Sequence, residues 1–510
     1  MSLEILIKEN NRGAKQMKYL DLIDHYKDQM IETLQELVSI RSVAAEAVGN
    51  APFGLGVQAA FEYMLKKGRE EGFDVENIDN YGGHIDFGGY ILDEKGEIIG
   101  TSDEIMGILG HLDVVPEGKD WDYDPYGGEV VDGKIYGRGT IDDKGPIIAA
   151  FYAMKAIKDA GIIPEKKVRL ILGLDEETDW KGMEYYLKKV KAPDFGFTPD
   201  GEFPAIHGEM GIMIFELAKK LNKSPVNPKG IALRSITGGN AANMVADHAR
   251  AVIRAESYDK IKEMLADFRK ETGYKINSKG IGKSFEITTQ GISSHGARPE
   301  SGLNAISILM MFLGQIGIDN DDMCDFIEFY NTHIQFELCG DLLGCGLVDE
   351  PSGKLILNVG MIDVDDEAAR LTINIRYPVT MNDEQVYHAM LPIINKYNLG
   401  IIKLKHQEPI YLPKEDEMIC TLMDIYKEHS GDFQCKPLVI GGGTYARAVK
   451  NTVAFGATFP GEPELAHQKN EYITVDNLLK TAKIYADAIF KLAEGQPAIE
   501  PGVIGCGWTN

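Results

Sequence analysis

Five short stretches carry residue types that could hold metal ions. They are Gly110-His111-Leu112-Asp113, the run Gly137-Arg138-Gly139-Thr140-Ile141-Asp142-Asp143-Lys144-Gly145, Asp175-Glu176-Glu177, Pro199-Asp200, and His467. Imidazole and carboxylate without thiolate suit zinc, manganese or a similar divalent ion. One histidine and one terminal carboxylate per ion, with a shared carboxylate between, would hold two ions about 3.5–4 Å apart. The paired glutamates then make sense. One can bind metal while its neighbour serves as general base to a metal-activated water, which is what attack on a carbonyl needs.

Each stretch alone has an ordinary explanation. His-x-Asp is usually a polar loop, and Pro-Asp a turn. Asp-Glu-Glu is usually a solvated helix start, which the helix dipole favours. Asp142-Asp143 could be only an N-cap. Order and setting carry more information. The apolar run Ile105 to Leu109 predicts a buried strand just before His111, and Val168 to Leu174 predicts another just before Glu176. Asp142 precedes a predicted helix, Ile147 to Lys158, and Asp200 follows the short apolar stretch Phe195–Phe197. In parallel α/β sheets ligands collect at the carboxyl ends of strands, so these distant segments can converge.

Other elements complete the frame. Helices are expected over Tyr19 to Ile40, Val57 to Glu71, Met183 to Val190 and Val475 to Leu492, the last with Thr474 as N-cap. The alternation of strands and helices predicts an α/β layer with a largely parallel sheet. From about His207 to Gln407 the pattern changes. Strands are expected at Phe285 to Thr289, Leu355 to Val359 and Leu371 to Tyr377, and helices at Tyr258 to Phe268, Ala305 to Leu313 and Asp383 to Lys396. This reads as an α+β unit interrupting the α/β domain. Boundaries follow at 1–208, 209–408 and 409–510. The tail after Gly495 is rich in glycine and proline and is expected to be irregular.

Composition removes several classes. The 510 residues carry 53 basic and 78 acidic side chains, a formal charge of −25, which argues against nucleic acid and anionic membrane surfaces as partners. No apolar run is long enough for a transmembrane helix, and the N-terminus lacks a secretory pattern. Met17 is a candidate natural start. The six cysteines form no C-x-x-C pair, so neither a disulfide scaffold nor a thiolate zinc site is expected, and the compartment implied is the cytoplasm.

The stretches GHLDVVPEGKDWDYDPYGG, YGRGTIDDKGP, LILGLDEET, FTPDGEFP and GGGTYARAVKNTVAFGATFPGEPELAHQKNE together resemble a known family. It comprises the co-catalytic zinc metallopeptidases that include acetylornithine deacetylase, succinyl-diaminopimelate desuccinylase and carboxypeptidase G. Within it the chain is most similar to PepV-type bacterial dipeptidases, from about Tyr19 to Glu494. The resemblance implies an α/β, phosphorylase/hydrolase-like catalytic domain with a mixed, mostly parallel sheet, plus an inserted α+β lid domain. It implies that Asp142 bridges two ions, that His111 and Asp200 complete one, and that Glu177 and His467 complete the other. Asp113 would fix the His111 ring, Glu176 would be the general base, and the Asp142–Asp143 peptide would be cis. The cofactors implied are two divalent ions, zinc first, with manganese or cobalt as alternatives.

The same resemblance assigns lid residues. His295 in GISSHGARPESGLNA would stabilise the oxyanion, and Asn243 in GGNAANMV would support substrate binding. Arg376 in NIRYP would grip a free C-terminal carboxylate, with Gly442, Gly443 and Thr444 cradling the same group. The enlarged lid implies a monomer, with a homo-oligomer left open. The expected function is metal-dependent hydrolysis of dipeptides. The alternatives are deacylation of N-acyl amino acids on the same site, or non-catalytic binding of a peptide or amino acid. The segment Ile318 to Cys345 matches nothing in this comparison, and the C-terminal tail has no assigned role.

Overall fold

The computed structural model describes residues 19–222 and 230–497. The candidate start Met17 and most of the C-terminal tail lie outside the described residues. The chain divides into two compact units. The first takes in residues up to His207, Leu412–Leu438, and residues from Thr444 onward; the second comprises Gly208–Tyr411 and Val439–Gly443.

The first unit is built on a mixed sheet. Its strands lie in the order Asp74–Asn77, Gly83–Gly88, Lys167–Gly173, Ile105–His111, Phe195–Thr198 and Thr452–Ala454. The last four run parallel, and the first two add antiparallel at one edge. The parallel strands read as continuous apolar runs because both faces are covered. Alternation along them divides the side chains. Ile108, Leu170 and Leu172 enter one core, while Leu109 and Ile171 enter a second with Met183, Tyr186 and Tyr445. The helices Lys27–Val38, Leu55–Glu70, Lys144–Asp159 and Val475–Leu492 supply the first core. Thr474 caps the last of these, its side chain accepting from the Asn477 amide.

The second unit has an eight-stranded sheet. Its order is Lys275–Ile281, Ser284–Gln290, His248–Arg254, Ala232–Gly238, Ile356–Val364, Ala368–Tyr377, Gly211–Lys220 and Gly400–Gln407, with every pairing antiparallel. The helices Asp259–Thr272, Ala305–Leu313, Asp321–His333 and Asp383–Lys396 close a separate apolar core. An Asn382/Gln385 capping box starts the last helix.

One sequence expectation is corrected, and one segment without an expectation gains a structure. Gly495 does not open an irregular tail: Gly495–Pro497 is a short strand pairing antiparallel with Ile162–Pro164. The unmatched segment after Ile318 contains the helix Asp321–His333, capped by the Asn320 side chain on the Met323 amide. No helix among the described residues is long and apolar enough to cross a membrane.

Candidate metal centre

His111 is the last residue of its strand, and it stands at the same level as Gly173, the last residue of the neighbouring strand. Glu176 and Glu177 follow that neighbour, and Asp200 follows Phe195–Thr198 on the other side. Three adjacent parallel strands therefore deliver four acidic or imidazole groups at one sheet edge. Asp142 comes from the loop before Lys144–Asp159, and His467 from the loop before Tyr472–Thr474.

Asp142 lies between the two histidines. Its Oδ1 is 3.0 Å from His111 Nε2, and its Oδ2 is 3.0 Å from His467 Nε2. His111 Nε2 also stands 3.7 Å from Asp200 Oδ2, and His467 Nε2 stands 2.9 Å from Glu177 Oε1. Potential ligand atoms of His111, Asp142 and Glu177 lie within 4.8 Å of one another, and so do those of His111, Glu176 and Asp200. The Asp142–Asp143 peptide is cis. Asp143 holds the N-cap position of Lys144–Asp159, but its side chain makes no capping bond and accepts instead from the His111 amide at 3.2 Å.

The donor set fits divalent ions. His111 Nε2 is fully buried and lacks an aligned hydrogen bond, although carboxylate oxygens surround it. That is the disposition of a ligand atom rather than of a satisfied N–H donor. Burial, reinforced by neighbouring negative charge, pushes the pKa values of Glu176, Glu177 and Asp200 up. The contacts with Asp142 and Glu177 push His467 up to about 11. His111 is also raised, because Asp113, Asp142 and Asp200 together outweigh the burial that opposes its charge. Carboxylates this crowded need positive charge among them, and a divalent cation supplies it.

The surroundings refine two expectations. The His111 ring is fixed through Nδ1, 2.9 Å from the Asp113 main-chain oxygen, with the Asp113 carboxylate farther away at 3.5 Å. That carboxylate is committed elsewhere: its two oxygens accept from the amides of Glu176 and Glu177, each at 3.1 Å. Trp180 completes the clamp, its indole donating to the Glu176 carbonyl at 2.7 Å. Tyr445, in the Thr444-Tyr445 stretch, packs edge-on to Trp180 and to His111. Thr444 is nearly buried, and its hydroxyl accepts from the Ala446 amide to cap a short 3-10 turn.

Within the second unit the remaining candidates come together. Gly296 donates to the Asn243 carbonyl at 2.6 Å, and Met244 bridges His295. A Cβ at Gly441 would lie 3.2 Å from Ala297 Cβ and 3.6 Å from Arg376 Cγ, so the glycine run that includes Gly442 and Gly443 adjoins both. Sequence reasoning missed Asn358, whose buried amide donates to the carbonyls of Ala242 and Met244, on either side of Asn243. No spacing signal links Asn358 to that loop. Sequence reasoning also missed Glu471, whose only signal is its position four residues after His467.

The sequence profile of peptidase family M20/M25/M40 matches residues 107–491. A Bacillus subtilis protein named "Putative dipeptidase YtjP" is 37% identical over 471 residues, covering 92% of this chain and 98% of its own. A similarly named protein from Staphylococcus epidermidis is 36% identical over 471 residues, covering 92% and 97%. Among solved structures, the aminoacylhistidine dipeptidase of Vibrio alginolyticus superposes with a TM-score of 0.53 at 16% identity, covering 91% of this chain and 95% of that one. The dipeptidase Dug1p of Saccharomyces cerevisiae gives 0.53 at 14% identity, covering 94% and 98%, which extends the shared fold across nearly the whole chain. By sequence over three quarters of its length, and by fold, the chain belongs to peptidase family M20/M25/M40.

Proposed function

We propose that the protein is a dinuclear metallopeptidase that cleaves the amide bond of dipeptides carrying a free C-terminal carboxylate. The observation that carries this reading is Asp142, whose two oxygens face two separate histidine–carboxylate sets. In this assignment Asp142 would serve both ions, His111 and Asp200 would hold one, and Glu177 and His467 would hold the other. When bound, such ions polarise water and the substrate carbonyl. The proposed ion is zinc, with manganese or cobalt as substitutes.

Glu176 is the proposed general base. Its backbone is held at the amide by Asp113 and at the carbonyl by Trp180, which leaves the side chain to take the proton of the attacking water. Burial raises its pKa; in this assignment the proton it takes passes on to the leaving amine. We assign His295 to the oxyanion, Asn243 to substrate support, and Arg376 with Gly442, Gly443 and Thr444 to the C-terminal carboxylate. The relatives named as dipeptidases support the substrate class. The five described cysteines are all free, which supports a reducing cytoplasm; we propose that the protein acts there as a monomer.

The test is turnover of a panel of dipeptides and N-acyl amino acids by metal-stripped protein, with zinc, manganese or cobalt added back. The expected result is metal-restored hydrolysis of dipeptides well above that of acyl amino acids. Preference for acyl amino acids would make the protein a deacylase. Binding of peptide without turnover under every metal would make it a binding protein.

A further inference from the structure

Glu471 is buried at 0% exposure, and its carboxylate is fully used. Oε2 accepts from Arg138 Nη1 at 2.5 Å. Oε1 accepts from three backbone amides of one loop: Gly139 at 3.0 Å, Ile141 at 2.9 Å and Asp142 at 3.3 Å. The Glu471 carbonyl also accepts from the Gly137 amide at 2.9 Å. Glu471 thus grips the segment that presents Asp142, from inside the loop that presents His467.

A plain ion pair would need only Arg138. Here one oxygen is given to the guanidinium and the other to three amides of the ligand loop, so an internal carboxylate fills a small pocket of backbone donors. The loop on the His467 side is shaped to allow this. His467 and Asn470 both take left-handed backbone conformations, with φ of 64° and 58°. That conformation is sparsely populated for residues other than glycine and persists only where surrounding bonds enforce it. The Asn470 side chain bonds to Asp122, and Tyr472–Thr474 pairs with Lys134–Tyr136. The two ligand-bearing loops are therefore fastened to each other, with Glu471 bonded directly to the Asp142 amide.

We propose that Glu471 is a positioning residue that fixes Asp142 relative to His467 and so sets the affinity of the centre for its second metal ion. This rests on the metal-site reading above and deepens it. Carboxylates that orient metal ligands typically contribute about 10–100-fold in metal affinity, and the same is expected here.

The test titrates metal-stripped protein with Co²⁺ alone, following its visible ligand-field absorption, for wild type, Glu471→Gln and Arg138→Gln. Circular dichroism checks folding. In Glu471→Gln the second equivalent of Co²⁺ is expected to bind at least about tenfold more weakly, with an altered spectrum. Arg138→Gln leaves Oε1 on the three amides and is expected to take both equivalents with the wild-type spectrum. Folded Glu471→Gln with wild-type affinity and spectrum would overturn the proposal. Equal loss in both variants would also overturn it, because the pair would then act only as a buried ion pair. If Glu471→Gln fails to fold, Arg138→Gln/Glu471→Gln removes the pair without stranding a buried cation and carries the same expectation. In that variant wild-type binding would overturn the proposal. Wild type that binds no Co²⁺ would instead sink the metal-site reading itself.

Discussion

At the scale of single residues, the decisive distinction is between Glu176 and Glu177. Both lie within reach of His111, and both have raised pKa values from burial. Only Glu177 contacts His467, so its side chain is engaged on the ligand side, while Glu176 is held by its backbone. Replacement of Glu176 by glutamine is therefore expected to leave metal content at the wild-type level and to lower kcat by about 10²–10⁴-fold, the usual range for losing a general base. Metal analysis beside steady-state kinetics checks this, and loss of metal from Glu176→Gln would show that Glu176 is a ligand. The ligand candidates were legible because each sits in a short motif next to a predictable strand or helix. The destination of the Asp113 carboxylate was not. His111 is two residues away and the more obvious partner by spacing, yet two amides more than sixty residues away take both oxygens.

At the scale of elements, the site depends on how closely strand ends approach what lies beneath them. Gly173 ends the strand that precedes the Asp175-Glu176-Glu177 loop, and a Cβ there would lie 2.3 Å from the Tyr445 ring. Tyr445 is fully buried between Trp180 and His111 and has nowhere to retreat. Gly173→Ala is expected to cost about 1–3 kcal/mol by overpacking and to lower activity through Trp180 and His111. Urea unfolding and dipeptide turnover check it, and a variant with unchanged stability and rate would show that the strand end yields freely. Most helices were readable from apolar period and capping residues, whereas five of the eight strands of the second unit's sheet were not. Asp321–His333 was obscured because its sequence, DDMCDFIEFYNTH, mixes acids into the apolar stripe. Gly495–Pro497 was unreadable because a three-residue strand has no period of its own and exists only by pairing with Ile162–Pro164.

At the scale of the whole molecule, acid should expose a weakness that net charge does not explain. Lowering the pH from neutral reduces the surplus of −25 and so relieves general self-repulsion. His84 acts in the opposite direction. It is buried against Tyr186 and the Asp86–Arg169 pair, and burial pushes its pKa down to about 4, Arg169 and Lys167 assisting against the pull of Asp86. Unfolded, it titrates near 6.5, so between those values the unfolded chain binds the extra proton. Its contribution is complete above that window and lost as the pH falls through it. Wild type is expected to lose about 2 kcal/mol more than His84→Gln between pH 7 and pH 5. Parallel stability curves for the two proteins would refute this. The change in sequence pattern near His207 coincides with the point where the first stretch of the first unit ends. The membership of Val439–Gly443 in the second unit was not, because five residues reveal no domain of their own until their neighbours Ala297 and Arg376 are known.

The first unit is discontinuous in sequence, and this has a consequence for the order in which the protein is made. A ribosome releases His111, Asp142, Glu177 and Asp200 early, but the parallel strand Thr452–Ala454 and then His467 emerge only after the entire second unit. Until then the parallel sheet ends at Phe195–Thr198, the acidic cluster lacks its second histidine, and the helix Val475–Leu492 is absent from the core. A nascent or truncated chain would thereby lack a complete set of the proposed metal ligands until the segment carrying His467 is made.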